Sequence, residues 1–356
     1  MQKQWQNKTN AKVRNRCFCS FIPINVLENL ARNGIIESVN SINGSKISRE
    51  KREQRVNNMA ELTSTDSGEK AARMVYDCKN KWEQRVKLVL QEGGTSPTDD
   101  SVKNAYDFSG KVRDYFMQKH QRKSIDNANM DLILNVHYGV KYQNAFWDGD
   151  EMTFGDGDGQ IFTDFSKSLD VIAHELTHGV TQWTANLEYE GQSGALNEHF
   201  SDVFGTVITQ YAEGQTAASA DWLIGDEIMG PQLGGEALRS MSEPGTAYDN
   251  DLMGKDDQPS HMKDYYNGSE DNHGVHTNSG ILNKAFYLAA KEMEIGTENA
   301  GLIWYDSLQK LWPTAQFNDA VKVIVDSAKD LTNKKKIPKG APQKIRTAFK
   351  EVGLPQ

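Results

Sequence analysis

The sequence predicts an α+β chain of two lobes: a β-rich N-terminal lobe and a mainly α-helical C-terminal lobe joined by a central helix, with a short helical segment ahead of both. Three observations carry this expectation. Period-two alternation, the pattern of strands, marks Met74 to Tyr76 and Val86 to Leu90 in the first half. Apolar residues at three-and-four spacing, the pattern of amphipathic helices, dominate beyond residue 195. Between these regions Ser168 to Trp183 carries an unbroken helical pattern. A length of 356 residues accommodates two ordinary domains and an extension.

In chain order, residues 1–50 read as a separate N-terminal segment. Its apolar positions between Phe18 and Ile36 are interrupted by Pro23, Asn25, Glu28, Asn29 and Arg32, which predicts one amphipathic helix rather than an export signal. The polar start, Met1 to Lys8, shows no Sec signal peptide, so the expected location is the cytoplasm or the outside by a non-Sec route. The run Ser48 to Arg55 is charged and nearly free of apolar side chains, which suits an exposed linker open to cleavage. The expected division is 1–50, a β-rich lobe with the central helix over 51–185, and a helical lobe over 186–356.

Within the body, Ser101 to Gln118 is helical in spacing and Leu132 to Tyr138 a strand. The turn-rich Asn144 to Gly149 follows, and an edge strand there would let Asn144 and the backbone of Ala145 pair with an extended peptide. The glycine-rich run Phe154 to Gln160 invites a calcium-loop reading, but Lys167 stands where an EF-hand needs its last carboxylate, so a tight turn is expected. Helices are expected over 195–212, 276–294, 300–312, 317–332 and 341–351, punctuated by Gly296, Pro313 and Pro338.

Composition excludes several classes. The net charge of −9 argues against nucleic acid as a partner, because phosphate binding needs a concentrated basic face. Lys334 to Lys336 reads as a solvated loop. No stretch has the apolar length of a membrane span. The three cysteines, Cys17, Cys19 and Cys78, have no disulfide-framework spacing. A monomer is expected.

The chemistry concentrates in three segments. In the central helix His174 and His178 share one face and can grip a single metal ion, with Glu175 beside them. On its own this pattern also fits an ordinary polar helix. Glu198, in Gly194 to Asp202, offers the third ligand that a catalytic zinc takes while leaving a position for water. Asp202, one helical turn further on the same face, can accept the free ring N–H of a ligand histidine, and Asn197 can do likewise. In Asp271 to Gly280, a His276 imidazolium held by Asp271 would suit an anion developing beside the metal.

At this point the chain resembles the thermolysin family of zinc metalloproteases. The resemblance rests on His174 to His178, on Gly194 to Glu198 with Ser201-Asp202, on Asn144 to Trp147, on Leu238 to Met241, and on Gly274 to His276 with Asn278 to Gly280. Cys19 to Leu27, with Leu30 and Ile35, resembles the short propeptide of the protealysin-like members. The resemblance implies a zinc endopeptidase acting on proteins or peptides, with its own propeptide as a partner in cis. It implies Glu175 as the base and Tyr189 and His276 as oxyanion donors. It also places Arg239 on a substrate carbonyl and Phe162, Phe165, Val171, Ile224 and Leu238 around the pocket for the residue after the cleaved bond. By packing alone those five would be core. The family's paired calcium site is expected to be damaged: Asp170, Asp221 and Asp226 persist, but Thr209 and Leu223 stand where carboxylates belong.

Overall fold

A computed structural model describes residues 19–58, 70–95 and 97–355. The sheet of the first lobe is built around β4 (Leu132–Val136), whose residues are almost all buried, as a strand covered on both faces requires. β2 (Arg73–Asp77) and β6 (Met152–Phe154) flank β4 in parallel, and β3 (Lys87–Gln91) pairs antiparallel to β2. The parallel β2–β4 pair needs a crossover, which α3 (Asp100–His120) supplies. Asp99 caps that helix by accepting the N–H groups of Ser101 and Val102.

β5 (Ala145–Trp147) runs antiparallel to β6 and would form the sheet edge. It does not stay open. β1 (Cys19–Ser20), from the N-terminal segment, pairs antiparallel with it and completes a sheet of order β1-β5-β6-β4-β2-β3.

α4 (Leu169–Gln182) is buried along all 14 residues, the mark of a helix enclosed on every side. It packs against α3 and against α5 (Gly191–Glu213), which opens the helical lobe. α6 (Glu270–Tyr287), α7 (Thr297–Leu308), α8 (Phe317–Asn333) and α9 (Ala341–Glu351) complete that lobe. One apolar core runs through both lobes, from Phe21 to Leu354. The observed two-lobed α+β architecture, with the central helix at the junction, is the one expected.

The N-terminal segment departs from expectation. In place of one helix from Phe18 to Ile36 there is the short β1, then α1 (Ile24–Arg32), a turn at Asn33-Gly34, and α2 (Ile36–Asn58). Pro23 explains the break: it holds the residue before it extended and starts α1 from a β-region φ/ψ of −60°/148°. The linker expected at Ser48 to Arg55 is helical instead, because its Arg, Glu, Lys and Gln residues are good helix formers. Over residues 36–50 the buried side of α2 is lined mainly by serines, with Ile42 half-buried, so a hydrophobic pattern could not reveal it. Ser45 and Ser48 meet the Tyr142 and Tyr138 hydroxyls at 2.7 and 2.6 Å, and Ser41 accepts the Gln143 N–H at 2.8 Å. Residues 59–69 lie outside the described residues.

Candidate active site

His174, Glu175 and His178 project from α4 at fully buried positions, and α5 lies across them with Asn197, Glu198 and Asp202. The Nε2 atoms of His174 and His178 are 3.0 Å apart, and each lies 3.4 Å from a Glu198 carboxylate oxygen. Donors around a tetrahedral zinc stand ~3.3 Å from one another, given metal–donor bonds of about 2.0–2.1 Å. The donor set therefore fits zinc. So does the buried Glu198 Oε2, which has no hydrogen-bond partner among the described residues.

The rings are oriented from behind. Asp202 Oδ1 lies 2.8 Å from His174 Nδ1, and Asn197 Oδ1 lies 2.9 Å from His178 Nδ1. Both oxygens accept, so each Nδ1 carries the hydrogen and each Nε2 turns its lone pair to the centre. Asp202 is a hub: Arg239 donates to it at 2.8–3.1 Å and Asn283 at 2.9 Å. Burial would raise the Asp202 carboxyl, but the Arg239 charge and the His174 hydrogen bond hold it well below the usual range.

Glu175 has two different oxygens. Oε2 accepts the Trp147 N–H at 2.8 Å, and Oε1 is buried without a hydrogen-bond partner among the described residues. Burial pushes this carboxyl up to about 8, against the pull of His174. A group at that value can both accept and return a proton near neutrality.

The third element is strained. Asp271, Asn272, His273 and Gly274 all adopt left-handed φ between 49° and 76°, so the regular part of α6 starts only at Val275. Successive non-glycine residues in this region are costly and collect at functional sites. Here the turn folds Asp271 back over its own helix. It accepts the His276 N–H at 2.7 Å through Oδ2 and the His276 Nδ1–H at 2.6 Å through Oδ1. Burial would lower His276, but the Asp271 and Glu198 charges carry it to about 9, so the ring is an imidazolium with Nε2–H free to donate. That Nε2 is 3.3 Å from the Tyr189 hydroxyl, which in turn donates to Glu198.

The N-terminal segment fills the groove in front of these groups. The Ser20 carbonyl lies 3.1 Å from His276 Nε2. The Phe21 N–H donates to Ala145 O at 3.0 Å, and the Phe21 carbonyl accepts from Arg239 Nη1 at 3.4 Å. The Asn144 side chain takes both ends of Ile22, accepting its N–H at 2.9 Å and donating to its carbonyl at 3.2 Å. The Phe21 ring stands edge-on to His174, with centroids 5.2 Å apart, and the Arg239 guanidinium covers it at 4.9 Å. Cys19 is disulfide-bonded, and its sulfur lies within 4.8 Å of a His178 nitrogen and a Glu198 oxygen.

His174, Glu175, His178, Tyr189, Asn197, Glu198, Asp202, Asp271 and His276 thus converge on one cleft, and Asn144, Ala145 and Arg239 meet the segment that fills it. Phe162, Phe165, Val171, Ile224 and Leu238 are buried in the same apolar cluster as Phe21. Gly225 joins Leu238 to that ring: a Cβ on it would stand 3.2 Å from Leu238 Cβ and 3.0 Å from the Phe21 ring. Gly225 escaped the sequence reading, as did Asn283, the Trp147 N–H and the place of Ser20 to Ile22 in the cleft. For the last a signal existed, since Ile22 directly before Pro23 is held extended and resists a helix running through it. A separate acidic cleft holds Asp170, Glu213, Asp221, Asp226 and Glu227, with Thr209 and Leu223 in its wall. Asp170 there accepts the Ser168 hydroxyl and the Gly225 N–H.

A buried carboxylate beside a three-donor metal centre, facing a groove that already holds extended backbone, can do one thing well: metal-assisted hydrolysis of a peptide bond. The cleft defines a metallopeptidase. The chain belongs to the thermolysin family, matching the thermolysin metallopeptidase catalytic domain over residues 36–182 and its alpha-helical domain over residues 185–354. It is similar to an extracellular metalloprotease of Pectobacterium carotovorum subsp. carotovorum, 53% identical over 67% of this chain and 69% of that protein. Protease PrtS of a Photorhabdus strain is 43% identical over 79% of this chain and 76% of that one. Among solved structures, the precursor of protealysin from Serratia proteamaculans is 40% identical, covers 94% of this chain and 99% of its own, and superposes with a TM-score of 0.82. The protein is a zinc-dependent metalloendopeptidase.

Proposed function

We propose that this enzyme cuts peptide bonds on the N-terminal side of hydrophobic residues and is made as a precursor that processes itself. Residues 1–50 act as the pro-segment, and 51–185 and 186–356 as the two catalytic lobes. The observation that carries the reading is Phe21, an aromatic ring lodged beside Leu238 and Gly225 while the carbonyl before it faces His276.

His174, His178 and Glu198 would hold the one zinc ion, which when bound polarises a carbonyl and acidifies water. Glu175 takes a proton from the attacking water and returns it to the leaving amine. Tyr189 and His276 donate to the carbonyl oxygen as it gains charge, with Asp271 keeping His276 protonated and aimed. Asp202 and Asn197 fix the two ligand rings. Asn144 and Ala145 hold the peptide backbone, Arg239 holds the carbonyl after the cleaved bond, and Phe162, Phe165, Val171, Ile224 and Leu238 line the pocket. The acidic cleft lacks the carboxylates of a calcium pair at Thr209 and Leu223, so calcium is not part of this proposal.

The enzyme acts as a monomer on protein or peptide substrates, its own pro-segment included, with neither nucleic acid nor membrane as a partner. No described helix is long and apolar enough to cross a membrane. The name of the Pectobacterium relative favours export over the cytoplasm.

The test is cleavage of casein and of blocked peptides differing only in the residue after the target bond, with and without a zinc chelator. Leu or Phe there should be preferred over Asp, and activity should vanish on chelation and return with zinc. Equal cleavage of the Asp peptide would remove the specificity assigned to the pocket.

A further inference from the structure

We propose that the Ser20–Phe21 bond is itself a cleavage site, so that the segment filling the cleft is a slow substrate rather than a fixed plug. This rests on the endopeptidase reading of the cleft and adds a named bond to it.

A blocking segment can lie in a groove in either direction and in any register, whereas a substrate has one of each. β1 runs antiparallel to β5, with Cys19 opposite Trp147 and Ser20 opposite Phe146. From there each backbone polar group across the bond meets the group proposed for a substrate. The Ser20 carbonyl faces the His276 donor at 3.1 Å, and the Phe21 N–H meets Ala145 O at 3.0 Å. The Phe21 carbonyl meets Arg239 at 3.4 Å, and Ile22 is held at both ends by Asn144. The side chain after the bond is aromatic and sits at the hydrophobic pocket. Glu175 is tied through one oxygen to the Trp147 N–H of β5, the residue opposite Cys19, and its other oxygen has no hydrogen-bond partner among the described residues. Direction, register, side chain and base all agree on one bond. Pro23 then caps α1 and leads the chain out of the groove, so the extended pairing ends just past the bond.

The chemistry is hydrolysis and needs only water. The water oxygen bonds to the Ser20 carbonyl carbon and the bond from that carbon to the Phe21 nitrogen breaks. The Ser20 end leaves as a carboxylate, and the Phe21 nitrogen leaves as an ammonium that carries the protons. The new ammonium is left against the Ala145 carbonyl and the new carboxylate against His276, with no covalent bond joining the two ends. Cleavage thereby loosens the segment, while α2 stays attached through the hydrogen bonds of Ser41, Ser45 and Ser48. Retention of α2 keeps the new Phe21 end near the cleft, where it competes with other substrates after the cut.

The experiment follows the zinc-loaded full chain, wild type and Glu175→Ala, by intact mass and N-terminal sequencing. Wild type should release residues 1–20 and expose a new N-terminus at Phe21, with a first-order rate independent of protein concentration. Glu175→Ala should keep the bond. Phe21→Asp should slow cleavage there by at least about a hundredfold, because the pocket would have to bury an unpaired charge. In parallel, mature enzyme receives a blocked peptide copying residues 18–28 with Cys19→Ser, and its binding is measured by calorimetry beside its cleavage. Cutting between Ser20 and Phe21 supports the proposal even if the Phe21→Asp precursor fails to fold. A peptide that binds but stays intact at that bond, while the same enzyme digests casein, overturns the proposal and leaves the endopeptidase reading standing. Loss of casein digestion as well overturns both.

Discussion

Trp147 donates its backbone N–H to Glu175 Oε2 across 2.8 Å, so the strand that receives a peptide and the carboxylate that would act on it are fixed to each other. Glu175→Gln keeps an oxygen for this hydrogen bond and removes only the proton-accepting carboxylate. The expected result is a fall in kcat of about 10²–10⁴-fold, the usual worth of general acid–base catalysis, with melting temperature and peptide affinity nearly unchanged. Steady-state kinetics on a blocked peptide, beside a thermal melt, measures both. A variant within threefold of wild type would remove Glu175 from the proton transfer.

Tyr189 stands 3.3 Å from His276 Nε2, and burial together with the Glu198 charge keeps its hydroxyl neutral and able to donate. Tyr189→Phe removes one donor to the developing oxyanion, together with the hydroxyl's hydrogen bond to Glu198. Its kcat should fall by about 10²-fold or more while KM holds, since the interaction strengthens only as charge appears. A rise in KM with kcat unchanged would instead make Tyr189 a ground-state binder.

How far these groups were legible in the sequence depends on whether position or packing sets their role. His174, Glu175 and His178 are tied by helical geometry, so spacing alone puts them on one face. Glu198 and Asp202 follow by the same periodicity. Phe162, Phe165, Val171, Ile224 and Leu238 carry no such mark, because a pocket wall and a core residue are the same side chain until something enters the pocket. The helix at Ser48 to Arg55 was hidden for a related reason: α2 docks through the Ser45 and Ser48 hydroxyls, on Tyr142 and Tyr138, and polar anchors leave little apolar stripe to find. Phe21 was misplaced because its partners, His174 and Arg239, are far away in sequence.

Asp202 serves two elements at once, the His174 ring and the Arg239 guanidinium. Asp202→Ala should weaken zinc binding by about 10–100-fold in a chelator competition, the usual cost of losing a partner behind a ligand. It also strands a buried arginine, for which a loss of about 3–5 kcal/mol in denaturant unfolding is expected. Unchanged zinc affinity with reduced stability would confine Asp202 to a structural role.

The acidic cleft offers a test by ligand removal. Bound calcium at a hundred times its Kd would contribute about 2.7 kcal/mol to stability. Without a carboxylate at Thr209 or Leu223 that stabilisation is not expected, so a calcium-selective chelator should leave the melting temperature unchanged. A rise in melting temperature that saturates with added calcium would show that Asp170, Asp221, Asp226 and Glu227 suffice.

His137 ties two loops together away from the cleft. Its Nδ1 is 2.9 Å from Asp156 and its Nε2 is 3.1 Å from Asp99, the residue that caps α3. The hydrogen bond to Asp156 outweighs burial and, with help from Asp99, raises the ring to about 9. An unfolded histidine titrates near ~6.5, so the folded state holds the proton more tightly. The resulting stability is fully present below pH ~6.5 and is lost as pH rises through about 9. The magnitude is modest because both carboxylates are partly exposed; about 1 kcal/mol is expected. His137→Gln should therefore be less stable than wild type at pH 6 and nearly equal to it at pH 10, read as the difference in denaturant midpoint. A gap that stays constant across that range would mean that His137 acts through packing or its left-handed backbone (φ 53°) rather than through its charge.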